Sequence, residues 1–294
     1  MYAVAANQAN AVKELLEMLK RDVKDKDEYS RISESRIRDE GYVTLGIPGG
    51  TTTLSAAMML ASPKIVSMLL EHGANADKVD TMGSDPFLQA SLFGRADNLQ
   101  YWLQTFKDWD VNKVDIRFGG CAMNKALFMG ANKLETVKVL LDAGANLNYR
   151  TFSGSSALIN AIDNEDSDPE VVKLILKKVK SECEENLSKV HKHVNFKSKS
   201  RTLKWKSIYF VAKVLYRTGM AKKGLMRSIA LWSGTTPLNY AVMRGDVEIV
   251  KILLENGANP FVQNDLGMNA FEICDCCGPY PSVKSILLKN SLKE

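Results

Sequence analysis

Cys274, Cys276 and Cys277 fall within four residues of one another in "CDCC", a cluster of soft ligands with the chemistry to hold zinc. A structural zinc site needs Cys-x₂₋₄-Cys spacing and also a second ligand pair. Cys274 has a simpler reading as a small buried thiol in a slot that holds alanine elsewhere in the chain. His191 and His193, in "HKH" downstream of Cys183, sit in a basic polar stretch where imidazoles are normally solvated. "LGIPGG" at 45–50 has the glycines of a phosphate cradle. It lacks the Gly-Lys-Ser/Thr ending of a P-loop, so it reads as a turn. With three histidines in all, no Gly-x-Ser-x-Gly and no His-Glu-x-x-His, no enzyme is expected, and no metal or cofactor.

The bulk properties are those of a globular chain. Its 294 residues are 45% hydrophobic and 25% charged, enough for a sizeable core. The net charge of +5 is unevenly spread: residues 177–227 hold fifteen Lys or Arg against three Glu. That is a local +12, leaving −7 for the remainder. Within this tract the longest apolar run is Ile208 to Ala212, far short of the roughly 20 residues needed to span a bilayer. The N-terminus lacks the basic start and apolar core of a signal peptide. Five cysteines, an odd number, imply reduced thiols and a cytoplasmic or nuclear setting.

The elements that would position any site repeat along the chain. "GTTPLNYAVMRGDVEIVKILLENGANP" (234–260) is a turn, an apolar helical stripe, a break, a second stripe and a stop. Anchored on Leu238, the same unit recurs at Leu54, Phe87, Met123, Leu158 and Phe271, with spacings of 33, 36, 35, 80 and 33 residues. "HGAN", "AGAN" and "NGAN" close three units at one phase. A small residue recurs at Ala3, Ala57, Ala90, Ala126, Ala161, Ala241 and Cys274, where helices must approach. Tyr2 to Glu17 aligns on Tyr240 to Glu255, so the chain starts inside a unit and reads as a fragment of a longer protein.

Period, Gly-x-Thr-Pro-Leu turn and closing Gly-Ala-Asn together resemble the ankyrin repeat. The resemblance covers about 200 residues and implies an all-α, helix-turn-helix solenoid with hairpin loops over 1–294: about seven repeats, the first truncated. Thr-Pro survives only at Thr236–Pro237, and the family's histidine after the anchor is replaced throughout. By resemblance the chain is a scaffold that binds a partner protein through hairpin tips and the face of the first helices. Carried over by position, the candidate contacts are Lys78, Asp80, Phe93, Arg117, Phe118, Tyr149, Arg150, Phe152, Asn264 and Asp265, with Asp115 projecting beside Arg117.

Two insertions interrupt the period. Residues 20–46 are charged and nearly neutral overall, a solvated loop. Residues 178–230 are basic, with Trp205, Ile208, Tyr209, Ala212, Leu215 and Tyr216 at helical spacing. Two readings stand for this basic amphipathic helix. It folds back on the array and buries its aromatics, or it meets an acidic membrane surface or a calmodulin-like protein through Trp205, Lys206, Tyr209, Lys213, Tyr216 and Arg217. Nucleic acid is not expected, because the basic residues lack the context of a known reader. Removing about 47 residues from the 80 restores the 33-residue period, so the flanking repeats should stack directly.

Overall fold

Thr236 and Pro237 begin a helix for two separate reasons. The Thr236 hydroxyl accepts from the Asn239 amide at 3.2 Å, satisfying a donor that every helix start leaves open. Pro237 has no amide hydrogen to lose there, and its ring holds the backbone near helical φ. Other units reach the same result with different residues. Thr52 accepts from the Ser55 amide at 3.1 Å, and Asp85, followed by Pro86, accepts from the Leu88 amide at 2.8 Å. In these two units the cap is therefore kept although the Thr-Pro pair is lost.

The computed structural model describes residues 2–22, 49–130, 133–163, 166–184, 186–278 and 280–292; beyond residue 22, the charged stretch 20–46 lies outside them. The chain forms two compact units, Met1–Asn146 and Leu147–Glu294. In the first, helices come in pairs: α1 (Tyr2–Ala5) with α2 (Ala9–Asp22), α3 (Thr53–Leu60) with α4 (Pro63–Glu71), α5 (Pro86–Leu92) with α6 (Ala96–Thr105), and α7 (Ala122–Met129) with α8 (Lys133–Asp142). The first helices of successive pairs pack side by side, and so do the second helices.

The second unit keeps this plan around the long insertion. Its pairs are α9 (Ala157–Asp163) with α10 (Pro169–Glu182), α14 (Pro237–Arg244) with α15 (Val247–Glu255), and α16 (Ala270–Cys277) with α17 (Pro281–Ser291). Between α10 and α14 lie α11 (Leu187–Val194), α12 (Leu203–Arg217) and α13 (Leu225–Trp232). Nevertheless α9 packs on α14 and α10 on α15. The two repeats flanking the insertion are direct neighbours, as the period requires.

Each helix pair buries its apolar face only against the next pair. Ala57, Ala90, Ala126, Ala161, Ala241 and Cys274 are all buried, so the recurring small position is where first helices approach most closely. Polar groups help seal the seams. Asn98, fully buried, donates its side-chain amide to the carbonyls of Met58 and Ala61 at 3.0 and 2.9 Å, satisfying acceptors that the end of α3 leaves open. Gly73, Gly144 and Gly257, each with φ of +83°, supply the left-handed residue that ends α4, α8 and α15. Leu253 on α15 is fully buried, so Leu253→Ala is expected to cost about 2–5 kcal/mol by opening a cavity between pairs. Chemical denaturation checks this; an unchanged midpoint would contradict the stacking.

Candidate interaction surfaces

The hairpin tips are built on one recurring acceptor. Asp80 accepts from the amides of Met82 and Ser84 at 2.8 and 2.9 Å. Asn264 accepts from Leu266 and Met268 at 2.9 and 3.0 Å, with the same two- and four-residue offsets. Asp115 takes Arg117 at 2.9 Å and Gly120 at 3.1 Å, one residue longer, and the Thr151 hydroxyl takes the Ser155 amide at 3.1 Å. Asp80, Asp115 and Asn264 are buried, which corrects their reading as contact residues: they fold the tip instead of presenting it. Asp115 also pairs with the buried Lys125 at 3.3 Å. The spacing Asp/Asn/Thr-x-x-Gly at 80–83, 151–154 and 264–267 was the available sign of this role.

The acceptor turns the following glycine toward the next tip. A side chain at Gly83 would strike Ile116, and the Ile116 amide donates to the Met82 carbonyl at 3.2 Å. The Asp265 amide bonds the Ser233 carbonyl at 2.9 Å in the same way, against Gly234. With the tip so fastened, Ile116, Arg117 and Phe118 point outward, Ile116 75% exposed and Phe118 46%, with the Arg117 guanidinium over the Phe118 ring at 5.7 Å. Ile116 was missed from sequence, where Asp115 was expected to project. Lys78 is half-buried, and Phe93 packs partly against Ala56 and Met59. On the first-helix side Phe128 is exposed.

In the second unit the insertion occupies the candidate surface. Lys199 lies over Gly154 much as Ile116 lies over Gly83. The Arg201 amide donates to the Phe152 carbonyl at 2.9 Å, and Ser198 to Thr235 at 2.9 Å. The Arg150 guanidinium covers the Phe196 ring at 4.2 Å, and Arg201 covers Tyr149 at 5.8 Å. Asp265 accepts from the Ser233 hydroxyl at 2.6 Å and pairs with Lys213 at 3.3 Å. Tyr149, Arg150, Phe152 and Asp265 are therefore engaged by their own chain.

Two of the insertion's helices, α12 and α13, lie on the first helices of this unit, while α11 packs on the second helix α10. Tyr209, Ala212, Ile229 and Ala230 form a buried cluster, with Trp205, Ile208, Tyr216 and Trp232 packed around it. Trp232 stacks on Tyr240 of α14 at 6.5 Å. The Tyr216 hydroxyl meets Cys276 Sγ at 3.5 Å, and Arg227 donates to the Cys276 carbonyl at 2.9 Å. Of the two readings the sequence left open, the fold-back is the observed one for Trp205, Tyr209 and Tyr216. Their rings face the chain's own core and are not offered to a membrane or partner. Arg217 reaches the Asp265 carbonyl at 3.4 Å, while Lys206 remains exposed. Cys274 is buried and its thiol points at the Tyr280 carbonyl at 3.8 Å, in keeping with a packing role.

Beneath this cover sits a carboxyl whose pKa is raised. Burial pushes Asp163, at the end of α9, up to about 6 against the pull of Arg244. Burial also raises the nearby Tyr209 to about 12, and the Asp163 and Asp265 charges add to that rise. A carboxyl with a raised folded pKa binds its proton more tightly in the folded state. Its relative stabilisation is present at low pH and is lost as pH rises through about 6. Measured against Asp163→Asn, the wild type should be roughly 1–2 kcal/mol better off near pH 4.5 than near pH 7.5. Denaturant titrations of both proteins at the two pH values check it; a constant difference would refute it.

Comparison with known proteins agrees with this geometry. The ankyrin repeat family model matches residues 233–265. A protein of Acanthamoeba polyphaga mimivirus named for ankyrin repeats is 25% identical over 247 residues, covering 81% of this chain and 28% of the viral protein. The mitochondrial disaggregase of Bos taurus is 33% identical over 138 residues, 47% of this chain and 19% of that protein. The chain thus spans less than a third of either relative. Among solved structures, the ankyrin repeat domain of Bcl-3, of the IkappaB family, superposes with a TM-score of 0.58 at 19% identity, covering 98% of this chain and 96% of that one. A chain from the complex of the Bdellovibrio bacteriovorus endopeptidase Bd0816 with its immunity protein Bd3460 gives 0.54 at 18% identity, covering 80% and 96%.

Proposed function

Because the chain belongs to the ankyrin repeat family, we propose that it is a protein-interaction scaffold whose first unit grips a partner through the 116–118 hairpin tip. Ankyrin repeats are in general protein–protein interaction modules. The observation that carries the finer reading is the division of labour at this tip. Asp115 spends its carboxylate on backbone amides and Lys125, and that rigid turn holds Ile116, Arg117 and Phe118 out in solvent. Apolar and guanidinium groups held rigidly lose little entropy on binding, which is what an interface anchor requires.

Binding and not catalysis is the reading the titratable groups support. Among the shifted groups, Asp80, Asp163 and Tyr209 are perturbed first of all by burial, whereas Tyr216 is raised first by its hydrogen bond with Cys276. We place the scaffold in the cytoplasm or nucleus, in keeping with its odd number of cysteines.

The test is affinity capture with quantitative mass spectrometry, comparing the full chain with an Ile116→Ser/Phe118→Ser variant. Both side chains are solvent-facing, so the melting temperature should hold. Proteins retained by the wild type should fall about tenfold with the variant, the loss of one interface anchor. Equal retention by both would overturn the assignment of this tip.

A further inference from the structure

The helix α12 is apolar on two faces, and the fold uses only one. Trp205, Tyr209, Ala212 and Tyr216 turn inward. On the opposite side Leu203, Ser207, Phe210 and Val214 follow one another at spacings of four, three and four residues. Leu203 is 80% exposed, Phe210 66% and Val214 41%. A helix apolar on both sides is normally buried on both sides. Here the outward stripe lies in water.

The spacing of the stripe identifies what covers it. Four-three-four is the seam of a helix packed against another helix, with Leu203 and Phe210 in one class of core position and Ser207 and Val214 in the other. In that register Lys206 and Lys213 flank one edge, and Lys204 and Val211 the other. Flanking positions of such a seam choose the partner by charge. Lys213 already holds Asp265 at 3.3 Å, whereas Lys204 and Lys206 have no carboxylate partner among the described residues. Beside the stripe opens a cleft of about 740 Å³ that Lys197, Lys199 and Lys206 line together with Leu203, Phe210 and Val211, and also with Asp265, whose carboxylate Ser233 and Lys213 already hold. A recess with apolar and cationic walls admits side chains from a convex helix, while a planar bilayer would leave it unfilled.

We propose that the outward face of α12 docks an acidic amphipathic helix of a partner protein, pairing Leu203, Phe210 and Val214 with its apolar seam and Lys204 and Lys206 with its carboxylates. This surface is independent of the 116–118 tip, so either assignment can fail without the other.

The experiment uses the full chain and a displayed library of helical peptides. Peptides enriched on the wild type should carry Leu or Ile at four-three spacing with Glu or Asp beside them. Measured by fluorescence anisotropy, their affinity should fall about tenfold or more for Phe210→Asp, the loss of a central seam anchor. It should fall similarly for Lys204→Glu/Lys206→Glu, and a peptide with its acidic residues changed to Lys should recover most of that loss. The substituted side chains are exposed, so unchanged circular dichroism melts show that folding is not the cause. Ile116→Ser/Phe118→Ser should leave the peptide affinity unaltered. Failure to enrich any peptide sensitive to Phe210→Asp would overturn the proposal. So would co-sedimentation with phosphatidylserine vesicles, lost in Phe210→Asp, in the absence of such a peptide; it would assign the face to a lipid surface.

Discussion

No helix pair in this protein can bury its own apolar stripe, and every other feature follows from that. A pair such as α14–α15 presents Leu238, Ala241, Ile249 and Leu253, all buried, and covers them only by lying against its neighbours. Each methylene so covered contributes about 0.8 kcal/mol, whereas the capping bonds add roughly 1 kcal/mol apiece. Burial therefore sets the spacing, and the small residue at Ala57, Ala90, Ala126, Ala161, Ala241 and Cys274 sets how close first helices come. The caps and closing glycines decide where each helix starts and stops. The architecture is additive, and surface loops are left at liberty to vary.

The hairpin tips show how liberty and constraint divide within a few residues. An acceptor at Asp80, Asp115, Thr151 or Asn264 defines the turn, and after Asp80, Asp115 and Asn264 the next residue's amide bonds the carbonyl of Gly49, Met82 or Ser233. At the Asp115 tip the positions that follow give only their backbone amides to these bonds. In the first unit they carry Ile116, Arg117 and Phe118 into solvent. In the second the insertion lays Lys197 to Arg201 across them and sets α12 and α13 over the first helices. One scaffold thus presents its own fingers in one half and a grafted surface in the other.

The repeat phase, the small-residue position and the junction across the long insertion were legible in the sequence because they rest on spacing. Ala161 and Ala241 had to share a layer whatever the intervening residues did. The roles of Asp80 and Asn264 were harder to read. A polar residue at a hairpin looks the same whether it faces water or backbone amides, and only its offset from the next glycine separates the two. The basic helix misled in a different way. Its aromatic side drew attention as the apolar face, while Leu203, Phe210 and Val214, interrupted by Ser207, made a second stripe that a search for one amphipathic face passes over. Charge gave no help, since lysines flank the outward stripe and the inward one alike.

The place where the long insertion leaves and rejoins the second unit bears on how that unit assembles. Its other repeats meet partners about 33 residues away along the chain, whereas Leu158 and Leu238 meet across 80. Equilibrium scarcely registers the difference, since closing the longer loop costs under about 1 kcal/mol more. The search is another matter, because contacts distant in sequence slow folding. The contact of α14–α15 with α16–α17 closes a short loop, whereas that of α9 and α10 with α14 and α15 closes a long one. In kinetic terms the junction is this unit's slowest repeat contact to find, hidden inside what the finished packing makes an ordinary layer.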